Sequence, residues 1–383
     1  MSLKCPVIQP PPYQKFLQDY LKTNKPVLIG PAIVESWPAI QLWIKHSLGH
    51  SEIDLDYLSD HYGDLEVAVA DCSSRDDLGN QDRTCDLLRN VISKWRTEDG
   101  ASLYVKDWHL SRNLDKSDSY YSTPNIFCDD WMNAYYAAYT NDDFRFVYLG
   151  AKGTFTPLHR DVYTSYSWSS NVCGRKRWWL YPPDQTKYLF MKQRSVTPYD
   201  VRTADPEKFQ ELHRTSPIVL EQNEGETIFV PSGWYHQVEN LTDCISINHN
   251  WCNSNNISSM YTSMCEKVEE VEQALEDVKE LLSSGNPNSD DWRDEWVTIV
   301  QDVVKQDAGW NWLTFWRMVL YALESAFGTN TEVLGPPASD LSFVHASEEY
   351  RPPKSFIVGE VKKCYDDFVT RDHRERSGEW YTL

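Results

Sequence analysis

The 383-residue sequence predicts a mainly β protein with a helical surround (α+β), built on a closed barrel or jelly roll. Three observations carry that expectation. Short apolar runs separated by Gly, Pro and Asp breakers crowd residues 144–252, the pattern of many short strands in one closed β structure. Residues up to about 140 mix helical and alternating periods. From about 256 onward the apolar period is helical. The expected division is a supporting N-terminal α/β region over 1–140, a β core over 141–255 and a C-terminal helical region over 256–383.

Each element has its own signal. Tyr13, Phe16, Leu17, Tyr20 and Leu21 recur at helical spacing. Val27-Leu28-Ile29 lies between Pro26 and Gly30-Pro31 and reads as a short buried strand. Leu65 to Val69 alternates and predicts a second strand, the polar stretch 73–84 a loop, and Leu103-Tyr104-Val105 a third strand. In the core, Phe146 to Leu149 ends in Gly150, and Arg177 to Tyr181 is closed by Pro182-Pro183. Glu226 to Val230 is closed by Pro231-Ser232-Gly233, and Cys244 to Asn248 follows the turn Thr242-Asp243. Met260, Met264, Val268, Val271, Leu275, Val278 and Leu282 then form one stripe with acidic residues between them, read as a face packed on the barrel; a partner or dimer helix is the other reading. Ser283 to Asn288 breaks it, and two further helices are expected near 290–305 and 310–327.

Composition removes several function classes. With 37 Lys+Arg against 57 Asp+Glu the net charge is −20, which argues against a nucleic-acid binder and a basic membrane-surface helix. No stretch reaches the roughly 18 apolar residues of a membrane span; Trp310 to Phe327 is interrupted by Asn311, Arg317 and Glu324. The opening segment MSLKCPVIQPPP has no apolar signal-peptide core, so a cytoplasmic protein is expected, with the nucleus also open to it. Nine Cys without a C-x-x-C pair suggest reduced thiols rather than a zinc ribbon or a disulfide framework. Sixteen Trp and 22 Tyr point to bulky packing and an aromatic-lined cleft, but name no chemistry.

Chemistry enters at Thr156-Pro157-Leu158-His159-Arg160-Asp161. On a strand alternate residues share a face, so His159 and Asp161 can point together into a barrel. Adding His236, from Pro231-Ser232-Gly233-Trp234-Tyr235-His236, gives two His and one carboxylate, the facial ligand set of non-haem Fe(II) oxygenases. His50-Ser51-Glu52 and His373-Arg374-Glu375 have similar spacing but lie outside any strand pattern and read as solvated. His109, His213 and His345 read as structural or exposed; His249 adjoins a strand but lacks a paired carboxylate. Downstream, Gly174-Arg175-Lys176-Arg177-Trp178-Trp179 opens a strand with three cations, and by alternation Lys176 faces opposite to both neighbours. An inward Lys can hold the far carboxylate of a 2-oxoglutarate dianion as a point charge with three donors.

Taken together, the H-x-D…H set, the Gly-x-Lys-Arg-Trp segment and the Pro-Ser-Gly-Trp-Tyr-His turn resemble the jumonji C (JmjC) 2-oxoglutarate oxygenases. Asn24 to Ile29 with Trp37-Pro38-Ala39 is similar to the start of the small hydroxylases in that family. The segments 103–110, 144–148, 167–176 and 245–251 resemble a member understood to hydroxylate a lysine side chain of the eukaryotic translation termination (release) factor. The resemblance spans about 10–330 and implies a double-stranded β-helix of the cupin type. It also implies Fe(II) and O2 at His159, Asp161 and His236, with 2-oxoglutarate held by Lys176, Tyr104 and Thr156. Asn248 falls where relatives carry Thr near the cosubstrate. Asp161 stands where many histone demethylases have Glu, and no reader or zinc-finger spacing accompanies the core, which favours the hydroxylase branch. The competing readings are a demethylase of N-methylated lysine or arginine and a catalytically silent cupin-type binding module. A zinc hydrolase leaves Lys176 unexplained and lacks H-E-x-x-H, and a serine hydrolase lacks the G-x-S-x-G elbow. Oligomeric state stays open.

Overall fold

The computed structural model describes residues 5–371 except 48, 78, 115–117, 193–195, 286–290, 330–331 and 338–345. The sequence features at His345, His373 and Asn286 to Asn288 lie outside the described residues. The chain divides into two compact units. One is built from the segments up to Phe127 and from Asp143 to Asn250; the other is built from Cys128 to Asp142 and from Trp251 onward. The N-terminal region and the barrel are thus one body. Residues 128–142, which sequence texture places mostly with the N-terminal region, group with the C-terminal helices.

The strands run β1 (Val7–Ile8), β2 (Val27–Ile29), β3 (Ile44–Ser47), β4 (His50–Ile53), β5 (Glu66–Arg75), β6 (Gln81–Leu87), β7 (Leu103–Trp108), β8 (Arg145–Gly150), β9 (Phe155–His159), β10 (Tyr166–Cys173), β11 (Lys176–Tyr181), β12 (Ile218–Gln222), β13 (Thr227–Val230), β14 (Tyr235–Asn240) and β15 (Cys244–Trp251). Nine form one sheet in the order β1-β2-β13-β10-β15-β8-β7-β5-β6, and four form another in the order β12-β11-β14-β9. From β8 to β15 the chain alternates between the sheets at every step but β11 to β12, which is the jelly roll the sequence predicts. Leu28, Trp178, Leu180, Ile228, Val230 and Val238 pack within this unit as one buried cluster. At about 25 cal/mol per Å2 of apolar surface, such burial is the main drive for closure.

Alternation explains β11. Lys176, Trp178 and Leu180 point inward at 2 %, 4 % and 0 % exposure, while Arg177 pairs with Glu221 at 2.8 Å on the outer face. β15 shows the same logic: Ser246, Asn248 and Asn250 occupy one face, and Ile245, Ile247 and Trp251 fill the other with apolar bulk.

Three local expectations are corrected. The polar stretch 73–84 is mostly a hairpin, the end of β5 and start of β6 around a turn at Asp76 to Asn80. It reads as loop because β6 is a sheet edge most of whose residues, Gln81 apart, are exposed or half-exposed on both faces. His50 lies on strand β4, paired to β3, and is exposed. The helix expected over 13–21 is α1 (Tyr13–Phe16) continued as a wider π turn over Leu17–Leu21. The other helices of this unit are α2 (Pro38–Leu42), α3 (Leu55–Tyr62) and α4 (Leu88–Trp95).

The second unit holds α5 (Trp131–Tyr139), α6 (Ile257–Ala274), α7 (Glu276–Gly285), α8 (Asp291–Ala308), α9 (Trp312–Phe327) and α10 (Lys354–Thr370). Of the expected stripe, Met260, Met264, Val268 and Val271 on α6 are buried while Leu275, Val278 and Leu282 are half-buried, and α6 packs against α8 and α10, so neighbouring helices cover its buried part. α5 packs against α9. Asp130 caps α5 by accepting from the Asn133 N–H at 2.9 Å, and Asn311 caps α9 by accepting from the Thr314 N–H at 3.2 Å.

Candidate active site

His159 ends β9, His236 is the second residue of β14, and the antiparallel register sets them directly opposite each other. Their ring centroids are 4.2 Å apart. His159 Nδ1 lies 2.8 Å from the Pro157 carbonyl and His236 Nδ1 lies 3.1 Å from the Trp234 carbonyl. A carbonyl only accepts, so each Nδ1 carries the proton and each Nε2 turns a lone pair to the pocket. Trp178 stacks on His236 at 5.7 Å and 28°. Burial, then the neighbouring His236, pushes His159 down to about 4, which keeps the ring neutral and able to ligate.

Asp161 lies just past β9 rather than within it, so strand alternation is only part of the reason it faces His159. Its backbone stays extended (φ −57°, ψ 145°), which prolongs the alternation beyond the last strand residue. Ser167 Oγ on β10 then donates to Asp161 Oδ2 at 2.7 Å and fixes the carboxylate. Immediately afterwards Tyr163 (φ 59°) and Thr164 (φ 55°) are both left-handed, a costly pair for side-chain-bearing residues that reverses the chain into β10. His159, Asp161 and His236 each offer a ligand atom, all within 4.8 Å of one another, the scale of a single-ion site.

The same cavity is lined by Tyr104, Thr156, Lys176 and Asn248, so the structure brings together all seven residues singled out in the sequence. Lys176 is 2 % exposed, and its Nζ donates to Ser246 Oγ at 2.8 Å. No carboxylate pairs with it among the described residues, and burial pushes it down to about 8. A buried ammonium with only a hydroxyl partner is costly unless an anion joins it. Tyr104 is buried beside Thr156, and desolvation pushes its phenol well up, so the hydroxyl stays protonated as a donor. Asn248 Oδ1 accepts from Ser169 Oγ at 2.9 Å.

Sequence reasoning missed Ser167, Ser169 and Ser246, which orient the carboxylate, the amide and the ammonium, and it missed the lining residue Tyr148. A signal for the serines exists: β10 and β15 carry polar residues at every second place of otherwise bulky strands, which is wasteful unless that face lines a polar cavity. Of the remaining histidines, His109 Nδ1 donates to the Asp143 carboxylate at 2.7 Å, His213 is exposed, and His249 is fully buried outside the cavity lining.

Fold and site together define a cupin-type barrel with a two-His, one-carboxylate pocket beside a buried lysine. The Cupin-like domain family model matches residues 13–257. JmjC domain-containing protein 1 of Schizosaccharomyces pombe is 34 % identical, with 82 % of this chain and 81 % of that one covered. The 2-oxoglutarate and iron-dependent oxygenase JMJD4 of Homo sapiens is 33 % identical over 95 % of this chain and 84 % of its own. Arginine-specific demethylase JMJ20 of Arabidopsis thaliana is 36 % identical over 70 % of this chain and 61 % of its own. The chain belongs to the cupin-like JmjC family.

Proposed function

We propose that this protein is an Fe(II)- and 2-oxoglutarate-dependent oxygenase that hydroxylates a carbon of a lysine side chain in a protein substrate, the eukaryotic translation termination factor, in the cytoplasm. The observation that carries the oxygenase reading is Lys176: a buried, carboxylate-free ammonium in the same cavity as a two-His, one-carboxylate set. The iron and 2-oxoglutarate on which the human relative is named as dependent fit the two halves of that cavity. Once bound, that pair supplies the dioxygen-activating chemistry that hydroxylates carbon.

The chain's own residues do the rest. His159, His236 and Asp161 would hold the metal, supplying three ligands of the facial set. Lys176, steadied by Ser246, would neutralise the far carboxylate of the cosubstrate, and the Tyr104 and Thr156 hydroxyls would donate to it. Ser169 donates to the Asn248 carbonyl, which leaves the amide N–H2 as the group that would donate to a cosubstrate bound in this cavity. Trp178 and Val238, both buried, form the apolar part of the pocket wall. Lysine and the termination factor rest on the resemblance of segments 103–110, 144–148, 167–176 and 245–251. No helix among the described residues is long and apolar enough to cross a membrane; with the charge of −20, the expected partner is a protein rather than a nucleic acid or a lipid surface.

The name of the Arabidopsis relative favours a second reading, N-methyl-arginine demethylation, through the same site residues. One assay separates the two. The protein, loaded with Fe(II) and 2-oxoglutarate, is given termination-factor and methylarginine peptides. A stable one-oxygen mass gain on unmodified lysine is expected, without formaldehyde. Formaldehyde with loss of a methyl group, and no gain on lysine, would establish demethylation instead. Asp161→Ala should lose metal binding and abolish either product; full turnover in that variant would refute the ligand set.

A further inference from the structure

An unbroken file of tyrosine and tryptophan rings runs from the wall of the active site to the surface. Trp168 lines the cavity and directly follows Ser167, the donor to Asp161. Its ring, 0 % exposed, packs on the far side of β10, 6.4 Å from Tyr121 between centroids. Tyr121 lies 4.7 Å from Tyr120, which stacks on Trp43 at 5.0 Å and 24°. Trp43 is 6.2 Å from Tyr62, and Tyr62 is 6.4 Å from Tyr57. Tyr57 finally stacks at 3.9 Å on His61, whose ring is exposed.

Two features separate this file from ordinary core packing. Every ring from Trp168 to Tyr57 is a Tyr or Trp, the side chains easiest to oxidise by one electron. The contact of Trp168 with Phe127 must instead pass through phenylalanine rings, Phe127 and then Phe16 or Phe229, which are far harder to oxidise, whereas Trp37 bridges Trp168 and Tyr121 at 6.1 and 5.4 Å and so belongs to the oxidisable file. And Tyr121 has a proton partner in place: its hydroxyl is 2.6 Å from Nε2 of His249, a fully buried imidazole stacked on Trp168 at 4.2 Å. Oxidising a phenol becomes far easier when a neutral base takes its proton in the same step. Burial pushes His249 well down, so it is neutral.

We propose that this file is an electron relay that protects the protein when 2-oxoglutarate is consumed without a target. The proposal rests on the oxygenase reading, which supplies the oxidant formed from dioxygen at the metal. Trp168 gives that oxidant one electron. Tyr121 re-reduces Trp168 and passes its phenolic proton to His249. Tyr120, Trp43, Tyr62 and Tyr57 each pass one electron inward in turn as short-lived radical cations that keep their own protons, so only Tyr121, with His249 as its base, rests as a neutral radical, and the His249 proton returns to Tyr121 as it is re-reduced. A soluble reductant of the ascorbate or thiol class refills Tyr57. Two such electrons, with two protons from solvent, discharge the oxidant of one abortive turnover, its oxygen leaving as water.

The first test needs no metal. A ruthenium photosensitiser is attached to the full chain through Asp60→Cys, beside the exposed end, with the exposed thiol Cys85 replaced by serine. Flash oxidation should yield a buried tyrosyl radical by electron paramagnetic resonance. That signal should vanish in Tyr121→Phe and fall at least about tenfold in Trp43→Phe, which keeps an aromatic ring in the stack but blocks transfer. No Tyr121-dependent radical, or an undiminished one in Trp43→Phe, would overturn the relay. The second test uses Fe(II), 2-oxoglutarate and oxygen without target. In the wild-type protein, oxygen adducts should map by mass spectrometry to the segment around Tyr57. In Trp43→Phe they should move to Tyr120, Tyr121 and Trp168, with severalfold fewer succinates formed before inactivation at an unchanged initial rate. Adducts placed identically in both proteins would overturn the protective role. Failure to form succinate at all, with the flash result intact, would instead refute the oxygenase reading and with it the oxidant, leaving the electron path standing.

Discussion

Lys176 shows how one residue can announce a ligand. Burial lowers the energy advantage of its charged form, yet no carboxylate among the described residues compensates. Its folded value of about 8 lies below that of an unfolded lysine, so binding of a dianion requires the protonated form and weakens as pH rises through about 8. Isothermal titration of the metal-loaded protein with 2-oxoglutarate should show dissociation constants near-constant below pH 7 and rising about tenfold per unit well above 8. Lys176→Met should bind at least about tenfold more weakly at pH 7 and lose that pH dependence. A Lys176→Met protein whose affinity still tracks pH in the same way would show that another cation holds the anion.

At the scale of elements, the barrel depends on where strands approach too closely for a side chain. Gly150 closes β8, and a Cβ there would lie 2.4 Å from Tyr104 Cδ2 and 2.7 Å from Thr154 Oγ1. Gly150→Ala should therefore displace the Tyr104 ring, destabilise the fold by about 1–3 kcal/mol as overpacking does, and weaken 2-oxoglutarate binding more than metal binding. Equal loss of both, measured by parallel titrations, would mean the damage is global. The strands most legible in the sequence are those rich in aliphatic and aromatic residues and closed by breakers: β2, β8, β11, β13 and the first part of β15. β10 and β14 are harder to see because one face of each must be polar to line the cavity, which dilutes the β signal with Ser, Asn, Gln and His. The outer end of the β5–β6 hairpin, unlike the alternating start of β5, is illegible for a different reason, since strand segments that bury little carry little hydrophobic pattern. The ligand motif is legible because its members sit in two short segments. The serines that orient the site are not, since a serine on a strand is common and acquires meaning only from what faces it.

For the whole molecule, the contrast is between a charge of −20 and the few carboxyl groups held inside. Asp129, in the helical unit, is 7 % exposed, and burial pushes its carboxyl up to about 7, opposed by the hydrogen bond from Trp131 Nε1 at 3.1 Å. A carboxyl whose folded value exceeds its unfolded value binds its proton more tightly when folded. Its stabilising contribution is therefore complete below about pH 4 and is lost as pH rises to about 7. Asp129→Asn should remove that loss, raising the urea midpoint at pH 7.5 relative to the wild type while the two proteins converge near pH 4. A variant less stable at both pH values would show that the carboxylate is paired in its charged form. The switch from strand to helix texture near 255 is legible as a change of period. The membership of 128–142 in the helical unit is not, because α5 is apolar nearly all round and its partner α9 follows far later in the chain.

The register that sets His159 opposite His236 has a consequence for how the site comes into being. β9 has only β14 as a partner in its sheet, and β8 meets β15, so the pairings are nested and the inner strands must already be placed when the outer ones close. A chain growing on the ribosome carries His159 and Asp161 long before it has His236, and holds only a two-ligand fragment until β14 emerges. Such long-range pairing is slow to form. Assembly of the full ligand set is thereby deferred until β14 is placed, and a product truncated before residue 236 lacks one of its three members.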